Sequence, residues 1–278
     1  MSPLHFSLVL LLFAYAAGLL GSLAGLGGGI IVVPALTMIL GVDIKHAIAA
    51  SIVAVVATSL TSSAVYVRKR LANLRVAMLL ELATVVGALC GALAGGILPE
   101  RALYLVFAAV LSYAGWSMWR RPVATPAAGE ADDAWADRLA LHDGYDDPGL
   151  RRRIEYRVRG TKLGLAVCWL AGVIAGLLGV GGGALNVPVM NVGMGMPIKV
   201  SSATSSFMIG VTAATGAAIY LMRGEVLPFL AAPVVVGVLL GAKSGARLMG
   251  RIQPGLIRGV FMVVIAVTVV EMLAKGLR

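Results

Sequence analysis

Gly25-Leu26-Gly27-Gly28-Gly29 breaks a long apolar stretch near the start of the chain, and Gly179-Val180-Gly181-Gly182-Gly183 breaks a second one in the same way. Each break is followed by a short apolar run carrying a proline, Pro34 in the first copy and Pro188 in the second. Only 13% of the 278 residues are charged and 59% are hydrophobic, against about 25% charged in a soluble domain, so the interrupted stretches read as membrane segments. Lipid offers no partner to an open backbone, and irregular chain at membrane depth must face protein or a water-lined cavity. Leu4 to Ala24, ahead of the first break, is long enough to cross a bilayer. Ile30 to Leu40, after it, has eleven residues, roughly 17 Å as a helix, too short for a core of about 30 Å. Ala184 to Met194 repeats that length after the second break. Both short pieces are expected to be half-helices or re-entrant segments, with the proline in the first turns, where a missing N–H costs least.

The breaks belong to a larger duplication. Gly25–Tyr66 aligns with Gly179–Tyr220 without a gap, and 15 of the 42 positions are identical. They include Pro34/Pro188, Gly41/Gly195, Lys45/Lys199, Ser51/Ser205, Thr58/Thr212, Thr61/Thr215 and Tyr66/Tyr220. Shared apolar composition alone does not put so many Gly, Pro, Ser, Thr and Lys in register. Farther on, Gly87, Gly91 and Gly95 match Gly237, Gly241 and Gly245, small-residue seams that let helices approach closely. Each half then adds three runs of spanning length: Ile44 to Val67, Leu74 to Leu98 and Ala102 to Trp119 in the first, Val200 to Met222, Val226 to Met249 and Leu256 to Ala274 in the second. The fold class expected is an all-α polytopic membrane protein of two repeats, residues 1–120 and 161–278, with eight to ten membrane segments in all. Between them lies a polar insert, 121–160, with Pro122, Pro126 and Pro148, an acidic piece from Glu130 to Asp147 and a basic piece from Arg151 to Arg159. The acidic piece accommodates one short helix with Trp135 and Leu139 on one face, and the basic piece is expected at anionic headgroups.

Three spans per half is an odd number, and so is five if the short pieces count, so the second repeat is expected to be inverted relative to the first. With the insert in the cytoplasm, 18 of the 23 Lys and Arg fall inside, as the positive-inside rule requires, and both termini lie outside. The same distribution accounts for the net charge of +10 as a topology signal, with no nucleic-acid partner. The first apolar run has no Lys or Arg ahead of it and no small-residue cleavage site, so it is expected to be a retained segment of a multi-pass protein of the cytoplasmic (inner) membrane.

The chemistry is expected at the breaks. Gly25, Gly27, Gly28 and Gly29, with Gly179, Gly181, Gly182 and Gly183, let the chain turn and let a ligand approach the backbone. The short helix after each break starts with unpaired N–H groups and a positive dipole end, which favour an anion. Inverted repeats whose discontinuous helices meet at the bilayer midplane are a recurrent plan in secondary transporters. The other reading of the glycines is tight helix crossing. Ser51, Thr58 and Thr61, and again Ser205, Thr212 and Thr215, lie near one helical face. They read either as hydroxyl donors along an anion path or as hydroxyls bonded to their own backbone or a neighbouring helix. Lys45 and Lys199 begin the helices after the short pieces, either drawing an anion to two mouths or snorkelling. Asn186 stands where the first half has Val32, either giving the pocket polarity or bonding another helix. Glu81 is a carboxylate within an apolar span, near Arg75. It reads as a site for a coupling ion, proton or sodium, or as a solvated or paired interfacial acid. Cys90 and Cys168 lack metal-ligand spacing, and His5, His46 and His142 are scattered. No cofactor or metal is called for, no nucleophile–base pairing suggests an enzyme, and Gly241-Ala242-Lys243-Ser244 lacks both the spacing and the surroundings of a nucleotide loop.

The duplicated Gly-rich break with its following proline, in two homologous halves around a polar insert, resembles the sulfite exporter TauE/SafE family, also described as the toluene-sulfonate uptake permease group. The resemblance covers roughly residues 4–119 and 161–274. It implies a small sulfur-containing anion as substrate, such as sulfite, an organosulfonate or a sulfoacetate-like compound, moved in either direction. Some related sulfur-compound transporters place cysteines along the path; here Cys90 aligns with Leu240 and Cys168 sits before the second break, which argues against a duplicated cysteine relay. The function expected is alternating-access transport with the anion between the two breaks. Its alternatives are a passive anion channel on the same residues and a transporter of small carboxylates. The sequence does not fix an oligomeric state.

Overall fold

A computed structural model describes residues 3–25, 27–120, 133–147, 152–248 and 254–277. Expectations that fell on Leu26, Arg121, Pro122, Pro126, Glu130, Pro148, Arg151, Arg251 and Arg278 lie outside those residues.

The described chain is mostly helical. In the first half, α1 (Pro3–Ala24) leads through the first break to the six-residue α2 (Gly29–Pro34). A wider π-helical turn, Ala35–Ile39, extends α2. Then come α3 (Ile44–Arg68), α4 (Leu74–Ile97) and α5 (Glu100–Arg120). After the insert the order recurs. α7 (Thr161–Leu178) leads through the second break to α8 (Gly183–Pro188) and a π-helical turn, Val189–Gly193. α9 (Ile198–Met222), α10 (Pro228–Leu248) and α11 (Pro254–Leu277) follow. Among the described residues α3, α4, α7, α9 and α10 are long and apolar enough to cross a membrane, and Leu8–Leu23 is a shorter apolar helix.

The two prolines sit later than expected. Pro34 and Pro188 are each the sixth and last α-helical residue of their element, beyond the four N–H groups a helix start leaves free anyway. A proline there removes a ladder bond and crowds the carbonyl four residues back. In both halves the next turn widens to the π pattern, which is how the ladder resumes without that bond.

The helices face outward with their apolar side. Along α4, Met78, Leu82, Val86, Leu89, Leu93 and Ile97 are exposed, while Gly87, Gly91, Gly95 and Thr84 are buried. That is the polarity of a lipid-facing surface, with small and hydroxyl side chains in the seams. A Cβ on Gly91 would run into the backbone of Val173 in α7, and one on Gly241 into that of Tyr15 and Leu19 in α1. So α4 packs along α7 and α10 along α1, each half lending its glycine seam to the other half's first helix. α3 crosses α9 at the centre, where Ser59 Oγ donates to the Ser206 carbonyl, and α5 packs on α11.

The insert corrects the all-α expectation. After the short α6 (Ala134–Arg138), strands β1 (Asp143–Asp147) and β2 (Arg152–Tyr156) pair antiparallel. The register sets Asp146 opposite Arg153 and Asp147 opposite Arg152. Opposite charges directly across a strand pair attract, so Arg153, in the basic piece expected at headgroups, faces Asp146 of the acidic piece. Tyr145 and Tyr156, both buried, anchor the hairpin in an apolar cluster shared with α4, α7 and α9.

Candidate functional site

Both breaks are built the same way. Gly25, Gly27 and Gly28 have φ of 70°, 77° and 79°, and Gly179, Gly181 and Gly182 have φ of 65°, 83° and 69°. An L side chain at such angles costs about 1–2 kcal/mol per residue, which is why the pattern is Gly at these positions. Gly28 and Gly182 are the N-caps, whose carbonyls receive the first intrahelical bonds, from Ile31 and Val32 and from Leu185 and Asn186. Gly29 and Gly183 begin the helices, so their amides precede those bonds.

The breaks also touch. A Cβ on Gly29 would lie 2.5 Å from the Gly179 carbonyl and 2.9 Å from Val180 Cα. Ser51 Oγ, on α3, donates to the Gly179 carbonyl at 3.0 Å, and Ser205 Oγ, on α9, donates to the Gly25 carbonyl at 3.0 Å. These bonds are each other's image under the duplication: the hydroxyl of one half holds the break of the other. Gly27 completes the junction, packed against Val55 of α3 and Ile209 of α9.

The other hydroxyls separate from this pair. Thr58 Oγ1 donates to the Ala54 carbonyl at 2.9 Å, Thr61 Oγ1 to Ala57 and Thr215 Oγ1 to Val211, all within their own helices. Thr212 Oγ1 donates to Glu81 Oε1 at 2.7 Å. Glu81 is 8% exposed, and its Oε2 has no hydrogen-bond partner. Arg75, a candidate partner by sequence, instead donates to the Ala140 carbonyl of the insert at 2.7 Å. Thr212 lies seven residues beyond Ser205, about 10 Å or two turns along α9, so the α4 carboxylate meets α9 about two turns from the hydroxyl that holds the first break. Ala231 occupies the place in α10 that matches Glu81, so the acid belongs to one half only.

Asn186 is the second asymmetric group. It is 1% exposed in α8, and its Oδ1 finds no partner. Turning the amide over would present an N–H donor there instead. Lys45 is the second residue of α3 and Lys199 the second of α9. Asp43 caps α3, accepting from the Lys45 N–H at 2.8 Å. Burial raises the Asp43 carboxyl, but that bond and one with Glu100 outweigh it and hold the carboxyl below its usual range.

Sequence reasoning missed two ties around the breaks. Lys275 Nζ donates to the Thr37 carbonyl, in the π turn of the first half, at 2.7 Å. Tyr66 OH donates to Ser22 at 2.8 Å and Tyr220 OH to Gly176 at 3.1 Å, one turn before each break. The Tyr66/Tyr220 identity was the available signal for the second tie. Lys275 left none, because its partner is a backbone atom 238 residues away.

The family model for sulfite exporter TauE/SafE matches residues 10–272. The chain is 26% identical over 276 residues to "Probable membrane transporter protein YunE" of Bacillus subtilis, covering 97% of this chain and 98% of that protein. It is 27% identical to a "Probable membrane transporter protein" of Xylella fastidiosa, over 93% of this chain and 90% of that one. A shorter stretch, 39% of this chain and 25% of the other, is 31% identical to "Sulfite exporter TauE/SafE family protein 5" of Arabidopsis thaliana. No solved structure matches. A match running nearly end to end, over a polytopic fold with two equivalent breaks, assigns the chain to the TauE/SafE sulfite exporter family of membrane transporters.

Proposed function

We propose that the chain is a secondary transporter that moves a small sulfur-containing anion, such as sulfite, an organosulfonate or a sulfoacetate-like compound, by alternating access. The observation that carries this reading is the reciprocal pair of bonds, Ser51 to Gly179 and Ser205 to Gly25. They hold two irregular backbone segments against each other, each followed by a helix start whose leading amides favour negative charge. The anion sits between Gly25–Gly29 and Gly179–Gly183, with Asn186 offering an amide from one side only. Thr58 and Thr212 lie farther along the same helices, and Lys45 and Lys199 draw the anion to the two mouths. The repeats, 1–120 and 161–278, are inverted with respect to each other, the insert 121–160 faces the cytoplasm and both termini face out. The pairing of α4 with α7 and of α10 with α1 supports a twofold relation between the halves, and the odd number of spans per half with the distribution of Lys and Arg supports its inversion. Glu81, lone and half-satisfied, is the group we assign to the coupling ion, a proton or sodium.

The experiment is flux in proteoliposomes against sulfite, sulfate, organosulfonates and small carboxylates. Uphill movement of a sulfur oxyanion is the expected result; purely downhill flux would make the protein a channel, and a preference for carboxylates or cations would overturn the substrate. Gly28→Val and Gly182→Val should each abolish that flux with the protein still folded in the membrane, since each forces a β-branched residue into positive φ. Normal flux in both would remove the site from the breaks.

A further inference from the structure

The two broken segments end differently. Gly41 and Gly195 are equivalent turn glycines, with φ of 63° and 72°. Around Gly41 an added Cβ would meet nothing within 4 Å among the described residues, whereas at Gly195 it would lie 3.3 Å from Arg159 Nε and 3.5 Å from the Arg157 carbonyl. The groups around Gly195 come from the insert. The Arg159 N–H donates to the Met194 carbonyl at 3.1 Å, and Gly160 approaches the Gly193 carbonyl closely enough that its Cβ would lie 2.8 Å from it. Val158, Tyr156, Leu141 and Ala136 of the insert share one buried apolar cluster with Met190, Met194 and Met196 of the second broken segment.

The insert is itself fixed on its far side. Asn73, the N-cap of α4, donates from Nδ2 to the Leu141 carbonyl at 2.9 Å and to Tyr156 OH at 3.0 Å, while its own N–H is bonded to Thr204 Oγ1 of α9. His142 locks the interior of the insert: its Nδ1 accepts from the Val158 N–H at 3.0 Å and its Nε2 meets Asp137 Oδ1 at 2.8 Å. Among the described residues the insert makes no such contact with the end of the first broken segment; the side-chain ties found there are the Lys275 bond to Thr37 and the Asp43 bond with Glu100 at the start of α5.

We propose that the insert is a permanent cap on the second broken segment, so that two segments equivalent by duplication work unequally: the second is a fixed wall of the site and the first is its moving gate. This rests on reading the broken segments as the walls of the transport site. A permanent cap is what the geometry supports, because releasing it would expose three buried methionines and break the bonds at Asn73 and Arg159 together.

The test has two readouts on the full-length protein. The first is amide hydrogen exchange in detergent without substrate. Residues 190–196 should exchange at least about tenfold more slowly than the equivalent 36–42, the scale expected between a packed and a locally open segment. His142→Ala should reduce that contrast, and Tyr156→Phe, which removes one hydrogen bond and keeps the fold, should reduce it less. Equal protection of the two segments, or a contrast untouched by both variants, overturns the cap. The second readout is sulfite flux in a protein carrying Arg159→Cys and Met194→Cys with Cys90→Ala and Cys168→Ala. Disulfide closure should leave flux unchanged, and loss of flux on closure, restored by reduction, would show that the second segment moves. If the unlinked protein carries no sulfite at all, the substrate reading fails while the exchange contrast still decides the cap.

Discussion

Removing the hydroxyl of Ser51 or Ser205 strands a glycine carbonyl at the junction of the breaks. A buried acceptor left without its donor costs about 1–3 kcal/mol, so Ser51→Ala and Ser205→Ala should each lower the melting temperature, by similar amounts because the bonds are equivalent. Ser→Thr at either place keeps the oxygen and should retain most of the stability. A large difference between the two alanine variants in a thermal melt would break the equivalence. These serines were legible as polar residues on one helical face; their partners were not, because periodicity along a helix says nothing about which carbonyl of the other half lies opposite. Thr58 shows the converse, a hydroxyl at matching spacing that bonds its own helix. Glu81 carries the other prediction at this scale. Glu81→Gln keeps an acceptor for Thr212 and removes the ionisable group. Ion-driven accumulation should disappear while substrate exchange across the membrane persists, and counterflow measurements distinguish the two; unaltered accumulation would release Glu81 from coupling.

At the scale of elements, the lengths of the short pieces were readable because Gly and Pro punctuate the chain. The π turns were not, since they follow from a proline placed at the sixth residue rather than the first turn. The hairpin of the insert was hidden for a different reason: Asp143-Gly144-Tyr145-Asp146-Asp147 is rich in residues depleted from strands, and its pairing comes from opposite charge and two buried tyrosines supplied by tertiary context. The same insert caps α7. Gly160, its N-cap residue, has no side chain to offer, and Asp133 Oδ2 accepts from the Thr161 N–H at 2.7 Å while Oδ1 caps α6 through Trp135 and Ala136. Burial raises the Asp133 carboxyl, but the bonds from Thr161, Trp135 and Ala136 outweigh it, and the group stays below the usual carboxylate range. A carboxyl lowered in the folded protein contributes stability above its unfolded pKa, about 3.9, and loses it as pH falls through the lowered value. Asp133→Asn keeps the α6 cap, since Asn caps as well as Asp, but cannot accept from Thr161. Exchange at the first turn of α7 should therefore rise in Asp133→Asn at neutral pH and lose its acid dependence; an unchanged profile would show that the bond contributes nothing.

The whole molecule is held together by exchange between its halves: α4 on α7, α10 on α1, α3 across α9 and α5 on α11. Duplication in the sequence made two similar halves readable, but two similar halves can also sit side by side as separate bundles. What excludes that here is the crosswise pairing of the helices and of Ser51 with Gly179 and Ser205 with Gly25. Each break takes a bond from the other half, so the junction between them exists only in the assembled chain. The symmetry also makes sidedness a single measurement. Arg68 ends α3 and Met222, its equivalent, ends α9, both exposed. If the repeats are inverted, these two equivalent ends open on opposite faces of the membrane, Arg68 inside by the positive-inside rule. Arg68→Cys and Met222→Cys, each alone in a background with Cys90 and Cys168 replaced, should then react with a membrane-impermeant thiol reagent from opposite sides. Met222→Cys should label in intact cells and Arg68→Cys only in inside-out vesicles. Labelling of both from one side would mean parallel repeats, and with them an axis normal to the membrane that brings the two breaks to the same face.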